Sequence, residues 1–183
     1  MDSLFTQDLY LKTWNFASAA HRYQTLPGSD IPYLNHIGNV AMEVIAAISV
    51  IPVQRPDLSI QCALLHDVIE DTDVTYEQVK LEFGEAVALG VLSLTKDQQL
   101  PSKKEQMLDS LSRIRQQPKE IWLVKLADRI TNLQAPPAHW NKMKIANYRD
   151  EAQLIHDQLA SAHAPLAGRL AQKIAEYRLY MNA

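Results

Sequence analysis

Ala63-Leu64-Leu65-His66-Asp67-Val68-Ile69-Glu70-Asp71 is the stretch that decides how this chain is read. An apolar run leads directly into an imidazole and a carboxylate, where solvated-face residues would be unusual. Val68 and Ile69 carry the apolar character onward, which predicts a helix continuing through the pair. On that helix His66 and Glu70 are four apart, as are Asp67 and Asp71. At ~3.6 residues per turn the four polar groups form one stripe on a mainly apolar helix. Three carboxylates and an imidazole on one face repel one another at pH 7 unless a cation sits among them, so a metal is the economical explanation.

The rest of the chain also reads as helices. Residues 4–24 carry Leu9, Trp14, Phe16 and Ala20 near a three-to-four spacing, before Leu26-Pro27-Gly28-Ser29-Asp30 breaks the pattern. A second helix is predicted from near Asn35 to Val50, ended by Pro52 and Pro56, and Asp57 or Ser59 is expected to cap the third. Thr75-x-x-Gln78 is a capping-box signature for a fourth that stops at Gly84. Further helices are expected at 85–96, 102–117, 119–134, 141–160 and 165–181, with Pro165 in the first turn of the last. No segment alternates at period two, and neither a repeat nor a linker interrupts the pattern. The expectation is one all-α domain, a helical bundle spanning residues 1–183.

Composition narrows the function. With 183 residues, 47% of them hydrophobic and 21% charged, the chain is long enough to bury a core without staples and too apolar to be disordered. A net charge of −3 leaves no basic face for nucleic acid. The single Cys62 excludes an internal disulfide and a cysteine-rich zinc site, and its apolar neighbours predict a small buried side chain. Residues 44–53 form the longest apolar run, interrupted by Ser49 and Pro52, far short of the ~20 residues of a membrane span. The opening Met1-Asp2-Ser3 has no basic segment followed by an apolar core, so no leader is expected and the location is read as cytoplasmic.

Two more sites can complete a metal centre. His36 follows the turn-like Pro32-Tyr33-Leu34-Asn35, thirty residues before His66. Asp128 ends the apolar stretch Trp122-Leu123-Val124-Lys125-Leu126-Ala127, sixty-one residues after Asp67. Such ligands come from three helices converging in a bundle. Two imidazoles and two carboxylates suit Mn²⁺, Fe²⁺, Zn²⁺ or Co²⁺ and leave positions open for water and substrate.

The order His, His-Asp, distant Asp resembles the HD-domain metal phosphohydrolases. A closer similarity rests on His36, the run Leu64 through Thr72, Phe83-Gly84, Leu94-Thr95, and Val124-Lys125-Leu126-Ala127-Asp128-Arg129-x-x-Asn132. Together with Ala20-His21-Arg22, Pro32-Tyr33-Leu34-Asn35 and the segment Trp140 to Tyr148, these resemble the hydrolase domain of RelA/SpoT-type alarmone enzymes over roughly residues 14–160. The resemblance implies that His36, His66, Asp67 and Asp128 hold a metal, usually Mn²⁺. It implies that Glu70 and Asp71 orient and deprotonate the attacking water, with Asn132 near substrate and metal. Arg22, Lys125, Lys142 and Tyr148 match positions lining the nucleotide pocket. The implied reaction removes the 3′-pyrophosphate from a guanosine or adenosine polyphosphate.

Three departures stand out. Basic residues usual in the family before Pro-Tyr are replaced by Gln24-Thr25-Leu26-Pro27-Gly28-Ser29-Asp30, a usual Pro is Ile37, and a usual His or Tyr is Thr131. None removes a metal ligand, but the first predicts weak guanine discrimination. His21 is read as structural support for the site, and His139, His156 and His163 as solvent-exposed. Asp128-Arg129 has the alternative reading of an ion pair, and Lys103-Lys104 that of a solvated helix start within reach of a phosphate. The three tryptophans are core or pocket wall. Three functions stay open: an alarmone 3′-pyrophosphohydrolase, an HD phosphohydrolase of other nucleotides, and a non-catalytic nucleotide-binding or protein-interaction module. The expected partner in the first is a small purine nucleotide and in the second a nucleoside monophosphate or triphosphate, without nucleic acid or membrane as partner.

Overall fold

The computed structural model describes residues 4–181; Met1-Asp2-Ser3, on which the leader reading fell, lies outside them. In chain order the helices are α1 (Gln7–Ala20), α2 (Leu34–Val50), α3 (Pro56–Leu65), α4 (Val68–Asp71), α5 (Tyr76–Phe83), α6 (Glu85–Leu94), α7 (Lys103–Arg115), α8 (Lys119–Asn132), α9 (Lys142–Leu159) and α10 (Ala164–Glu176). Among the described residues no strand forms, and the fold is all-α as expected. A lone antiparallel bridge between Thr25 and Pro32 pins the loop between α1 and α2. No described helix is long and apolar enough to cross a membrane.

Helix α3 is the axis of the core, every residue from Leu58 to Leu65 being buried. It packs between α1, α2, α6 and α8. Gly90 of α6 permits a close approach to α3 and α8, since a β-carbon there would stand 2.6 Å from Ile121 Cδ1 and 2.8 Å from Cys62 Sγ. Cys62 is fully buried, as its neighbours predict. The Thr75–Gln78 capping box forms in both directions, and Gly84, at φ 88°, makes the joint between α5 and α6.

Several expected boundaries differ. The third helix opens with Pro56 in its first turn, so neither Asp57 nor Ser59 caps it. Asp57 instead accepts hydrogen bonds from Thr6 N and Oγ1, both at 2.7 Å, and ties the start of α1 to α3. The first helix ends at Ala20, and the last at Glu176, where the chain tightens into a 3₁₀ stretch, Tyr177–Met181. His163, read as exposed, is buried: its Nε2 lies 2.9 Å from the Ile51 carbonyl, closing the start of α10 against the end of α2. His139 is exposed and His156 partly so. The chief correction concerns α3 itself. It stops at Leu65, and His66 and Asp67 occupy a turn before the short α4.

Candidate metal centre and its clefts

That break separates two polar pairs that a continuous helix would align. Neighbouring residues on a helix point ~100° apart, yet here Asp67 Oδ2 lies 2.8 Å from the Nε2 of His66. Across from them, in the first turn of α2, the Nε2 of His36 stands 3.2 Å from that of His66 and 3.7 Å from Asp67 Oδ2. Helix α8 contributes Asp128, whose Oδ1 is 3.5 Å from His36 Nε2 and 3.9 Å from His66 Nε2. The carboxylate of Asp128 also accepts from Lys125 Nζ at 2.9 Å and from Asn132 Nδ2 at 2.5 Å.

The donor set fits a divalent ion. Ligand atoms about 2.0–2.2 Å from one ion stand roughly 3.0–3.6 Å from each other at right or tetrahedral angles, close to the spacings found. His36, His66 and Asp67 form a group able to hold a metal. The outer nitrogens of the imidazoles are also engaged. His66 Nδ1 donates to the Ala63 carbonyl at 2.9 Å. His36 Nδ1 lies 3.4 Å from the Thr131 hydroxyl, which gives its own proton to the Asp128 carbonyl. This leaves the Nε2 atoms of both rings facing the centre. Burial disfavours a charged His66, but Asp67 beside it, with Asp128, prevails and lifts the imidazole to about 9. For Asp67 burial likewise opposes ionisation and His66 overrides it, holding the carboxyl well below the usual range. For Asp128 it is Lys125 that overrides burial. The surroundings thus favour positive charge at this point.

Glu70 and Asp71 look elsewhere, so the four groups do not form the single stripe expected. Glu70 accepts from Lys96 N at 2.9 Å and from its Nζ at 3.3 Å. Asp71 accepts from Gln24 Nε2 at 3.1 Å, and Gln24 is held in turn by the buried His21, 2.6 Å away. Burial, then Asp67, raises the Asp71 carboxyl. His21 also packs against Tyr33, with ring centroids 5.2 Å apart. The Tyr33 hydroxyl donates to Asp67 Oδ2 at 2.6 Å, and burial together with Asp67 pushes its phenol far above the ordinary value.

Two clefts meet here. A narrow one of about 270 Å³ is lined by His66, Asp67, Glu70, Asp71, Lys96 and Lys125, among others. A wider one of about 670 Å³ runs from His36 and Asn132 past Trp140 to α10. Tyr148 and Asn132 line both. Arg22 is exposed with its guanidinium over the Tyr23 ring, and Lys142 is exposed at the start of α9; neither lines either cleft. Arg129 pairs with Glu151 and stacks on Tyr148 at 4.6 Å, so the ion partner of Asp128 is Lys125. Lys103 and Lys104 border a separate hollow between α7 and α9.

Lys96, Tyr33, Arg129 and Glu151 line the narrow cleft without having been read as site residues. Tyr33 carried a usable signal in its place three residues before His36; Lys96 carried none, lying twenty-six residues from Glu70.

The HD-domain profile matches residues 13–172. The chain belongs to the HD-domain family. A relative from Danio rerio, guanosine-3′,5′-bis(diphosphate) 3′-pyrophosphohydrolase MESH1, is 33% identical over 173 residues, covering 91% of this HD-domain chain and 92% of the relative. The Aquifex aeolicus guanosine-3′,5′-bis(diphosphate) 3′-pyrophosphohydrolase is 33% identical over 163 residues, 87% of this chain but 21% of that longer protein. Among solved structures, a metazoan orthologue of SpoT that hydrolyses ppGpp superposes with a TM-score of 0.79 at 28% identity, covering 92% of this chain and 94% of the other.

Proposed function

We propose that this HD-domain chain is a metal-dependent hydrolase that removes the 3′-pyrophosphate from guanosine or adenosine polyphosphates. The observation that carries this reading is the gathering of His36, His66, Asp67 and Asp128 donor atoms where a narrow acid-lined cleft meets a nucleotide-sized one. The names of its relatives support the substrate class.

His36, His66, Asp67 and Asp128 hold the metal, Mn²⁺ in this reading. When bound, such an ion lowers the pKa of a water it holds and neutralises phosphate charge. Glu70 and Asp71 would orient the attacking water and take its proton, a contribution typically of ~10²–10⁴ in rate. Lys96 fixes Glu70, and Gln24 fixes Asp71, each from a different part of the chain. Water oxygen bonds to the phosphorus next to the sugar, the bond from that phosphorus to the 3′ oxygen breaks, and the 3′ oxygen is protonated as pyrophosphate leaves. Asn132 steadies Asp128 and borders substrate, and Lys125 and Tyr148 line the pocket; Arg22 and Lys142, exposed outside both clefts, would touch only a nucleotide that extends beyond them. Residues 1–183 act as one domain, in the cytoplasm, where a free thiol such as Cys62 stays reduced.

The test is release of pyrophosphate from 3′-pyrophosphorylated guanosine and adenosine nucleotides, with and without Mn²⁺, beside a wider nucleotide panel. Mn²⁺-dependent pyrophosphate release is expected. Release only from other nucleotides would favour the second enzyme reading, and no release from any would favour the binding module.

A further inference from the structure

His21 lines neither cleft and holds no metal, yet its imidazole is 2% exposed where α1 ends, directly behind the site. The hydrogen bonds that lead away from it can be assigned one after another. An ionised Asp71 only accepts, so the amide group 3.1 Å from its Oδ2 is a donor, and Gln24 presents Nε2 to it. The other end of that amide is then the acceptor Oε1, which lies 2.6 Å from His21 Nδ1. That nitrogen must therefore carry a proton. Burial pushes the His21 imidazole below its ordinary value, so the ring holds a single proton near neutral pH. The bare nitrogen is Nε2, buried without a hydrogen-bond partner among the described residues. Donors thus run in one direction, from His21 through Gln24 to Asp71. Turned over, the amide would set its oxygen against the carboxylate.

The backbone fixes the ends of this chain. Gln24 N donates to the His21 carbonyl and Tyr33 N to the Gln24 carbonyl, both at 2.9 Å. The contact of His21 with the Tyr33 ring needs only an aromatic face. A phenyl ring would supply that face without burying an idle nitrogen, which carries a desolvation cost. What the imidazole adds is the Nδ1–H.

We propose that His21 is a positioning residue for hydrolysis, its Nδ1–H fixing the Gln24 amide so that Nε2 holds one oxygen of Asp71 and leaves the other for water. The proposal rests on the hydrolase reading and deepens it by naming what aims the carboxylate. His21 acts only through Gln24, so its loss should lower turnover without weakening substrate binding. Removing an outer partner of this kind typically costs about 10–100-fold in activity.

Two measurements test it. In the first, pyrophosphate release is followed at saturating Mn²⁺ for variants that separate the ring from the donor. His21→Phe keeps the ring beneath Tyr33 and lacks the N–H; its kcat should fall about 10–100-fold with KM near wild type. His21→Asn lacks the ring but places an amide N–H where Nδ1–H stood, and should recover most of that loss. Gln24→Leu should match His21→Phe, and the double variant should fall no further than either alone, as expected of one coupled chain. A His21→Phe protein with wild-type kcat, a His21→Asn protein as impaired as His21→Phe, or losses that multiply in the double variant each overturn the proposal. The second measurement needs no turnover: the nitrogen chemical shifts of the His21 imidazole report which nitrogen is protonated. Nδ1–H is expected in wild type and a shift toward Nε2–H in Gln24→Leu; a wild-type proton on Nε2 overturns the proposal. Absence of hydrolysis with the Nδ1–H form intact would instead overturn the hydrolase reading and leave the donor chain standing.

Discussion

The narrow and wide clefts share Tyr148 and Asn132 but are built on opposite principles. In the narrow one nearly every charge is held by another, Lys125 by Asp128, Lys96 by Glu70 and Arg129 by Glu151, and the neutral Tyr33 hydroxyl donates to Asp67. Most of its residues stand on α4, α6, α8 and α9, with Tyr33, His66, Asp67 and Lys96 in the connections beside them, so its geometry follows the packed bundle. The wide cleft takes much of its lining from connecting segments, with Leu26 and Pro27 on one side and Pro136, Pro137 and Trp140 on the other. Its polar groups are mostly uncharged, the charges of Glu43, Arg169 and Lys173 excepted. Chemistry that needs placement to fractions of an ångström belongs on the rigid side, and recognition that differs among substrates belongs on the looser one.

The sharpest way to break this contrast is to remove a ligand from the rigid side. His66→Ala and Asp128→Ala should each lose bound metal and lower kcat by roughly 10³-fold or more, since the ion is asked for several kcal/mol of barrier. Metal analysis beside kinetics reads both; undiminished metal in both variants would refute the assignment. Chelation of the loaded wild type should lower Tm as well. An ion held at a hundred to a thousand times its Kd stabilises by about 3–4 kcal/mol, roughly 6–16 °C for a chain of this size.

Glu70→Gln comes next. It preserves size and removes the charge, and should keep metal while kcat falls by ~10²–10⁴. Because Glu70 faces Lys96 rather than the imidazoles, metal content separates its role from that of His66. A kcat near wild type would mean that another group takes the proton. Tyr33→Phe probes the support beneath a ligand. The protonated phenol donates to Asp67, and deleting such a donor should weaken metal affinity about 10–100-fold with substrate specificity unchanged. A metal titration that superposes on wild type would show that Asp67 is positioned without it.

Much of this was legible in the chain, and the gaps have physical causes. The capping box at Thr75, the joint at Gly84 and the start of α2 are local signals, written in a few consecutive residues. The ligand types were legible because charge after an apolar run is hard to explain otherwise. The end of α3 at Leu65 was not, because Val68 and Ile69 continue the helical period through a turn that tertiary contacts of His66 and Asp67 impose. His163 escaped because its partner is a backbone carbonyl 112 residues away, which no side-chain pattern encodes. Lys96 lies on the connection after α6 and meets Glu70 only through the packing of α6 against α4.

The smallest expected effect lies on the loose side and concerns the base. Leu26 and Pro27 occupy the rim of the wide cleft, and the loop that carries them is pinned by hydrogen bonds from Leu26 N to Ile31 O and from Tyr33 N to Gln24 O. No guanidinium stands in that loop to bond a guanine carbonyl oxygen. Arg22, just before it, is exposed over Tyr23. The neutral polar groups of the cleft include the amides of Asn35, Asn39 and Gln134. An amide offers both a donor and an acceptor, so by turning over it serves the 6-oxygen of guanine or the 6-amino group of adenine about equally well. Discrimination of ~10⁴ or more generally needs a buried polar partner left unpaired by the wrong ligand, and an amide that can turn over is not left unpaired. The kcat/KM values for matched 3′-pyrophosphorylated guanosine and adenosine nucleotides should therefore differ by less than about a hundredfold at one Mn²⁺ concentration, with adenine accepted as well as guanine or better. A guanine preference beyond that would locate a fixed reader of the base in this cleft and erase the contrast between its two sides.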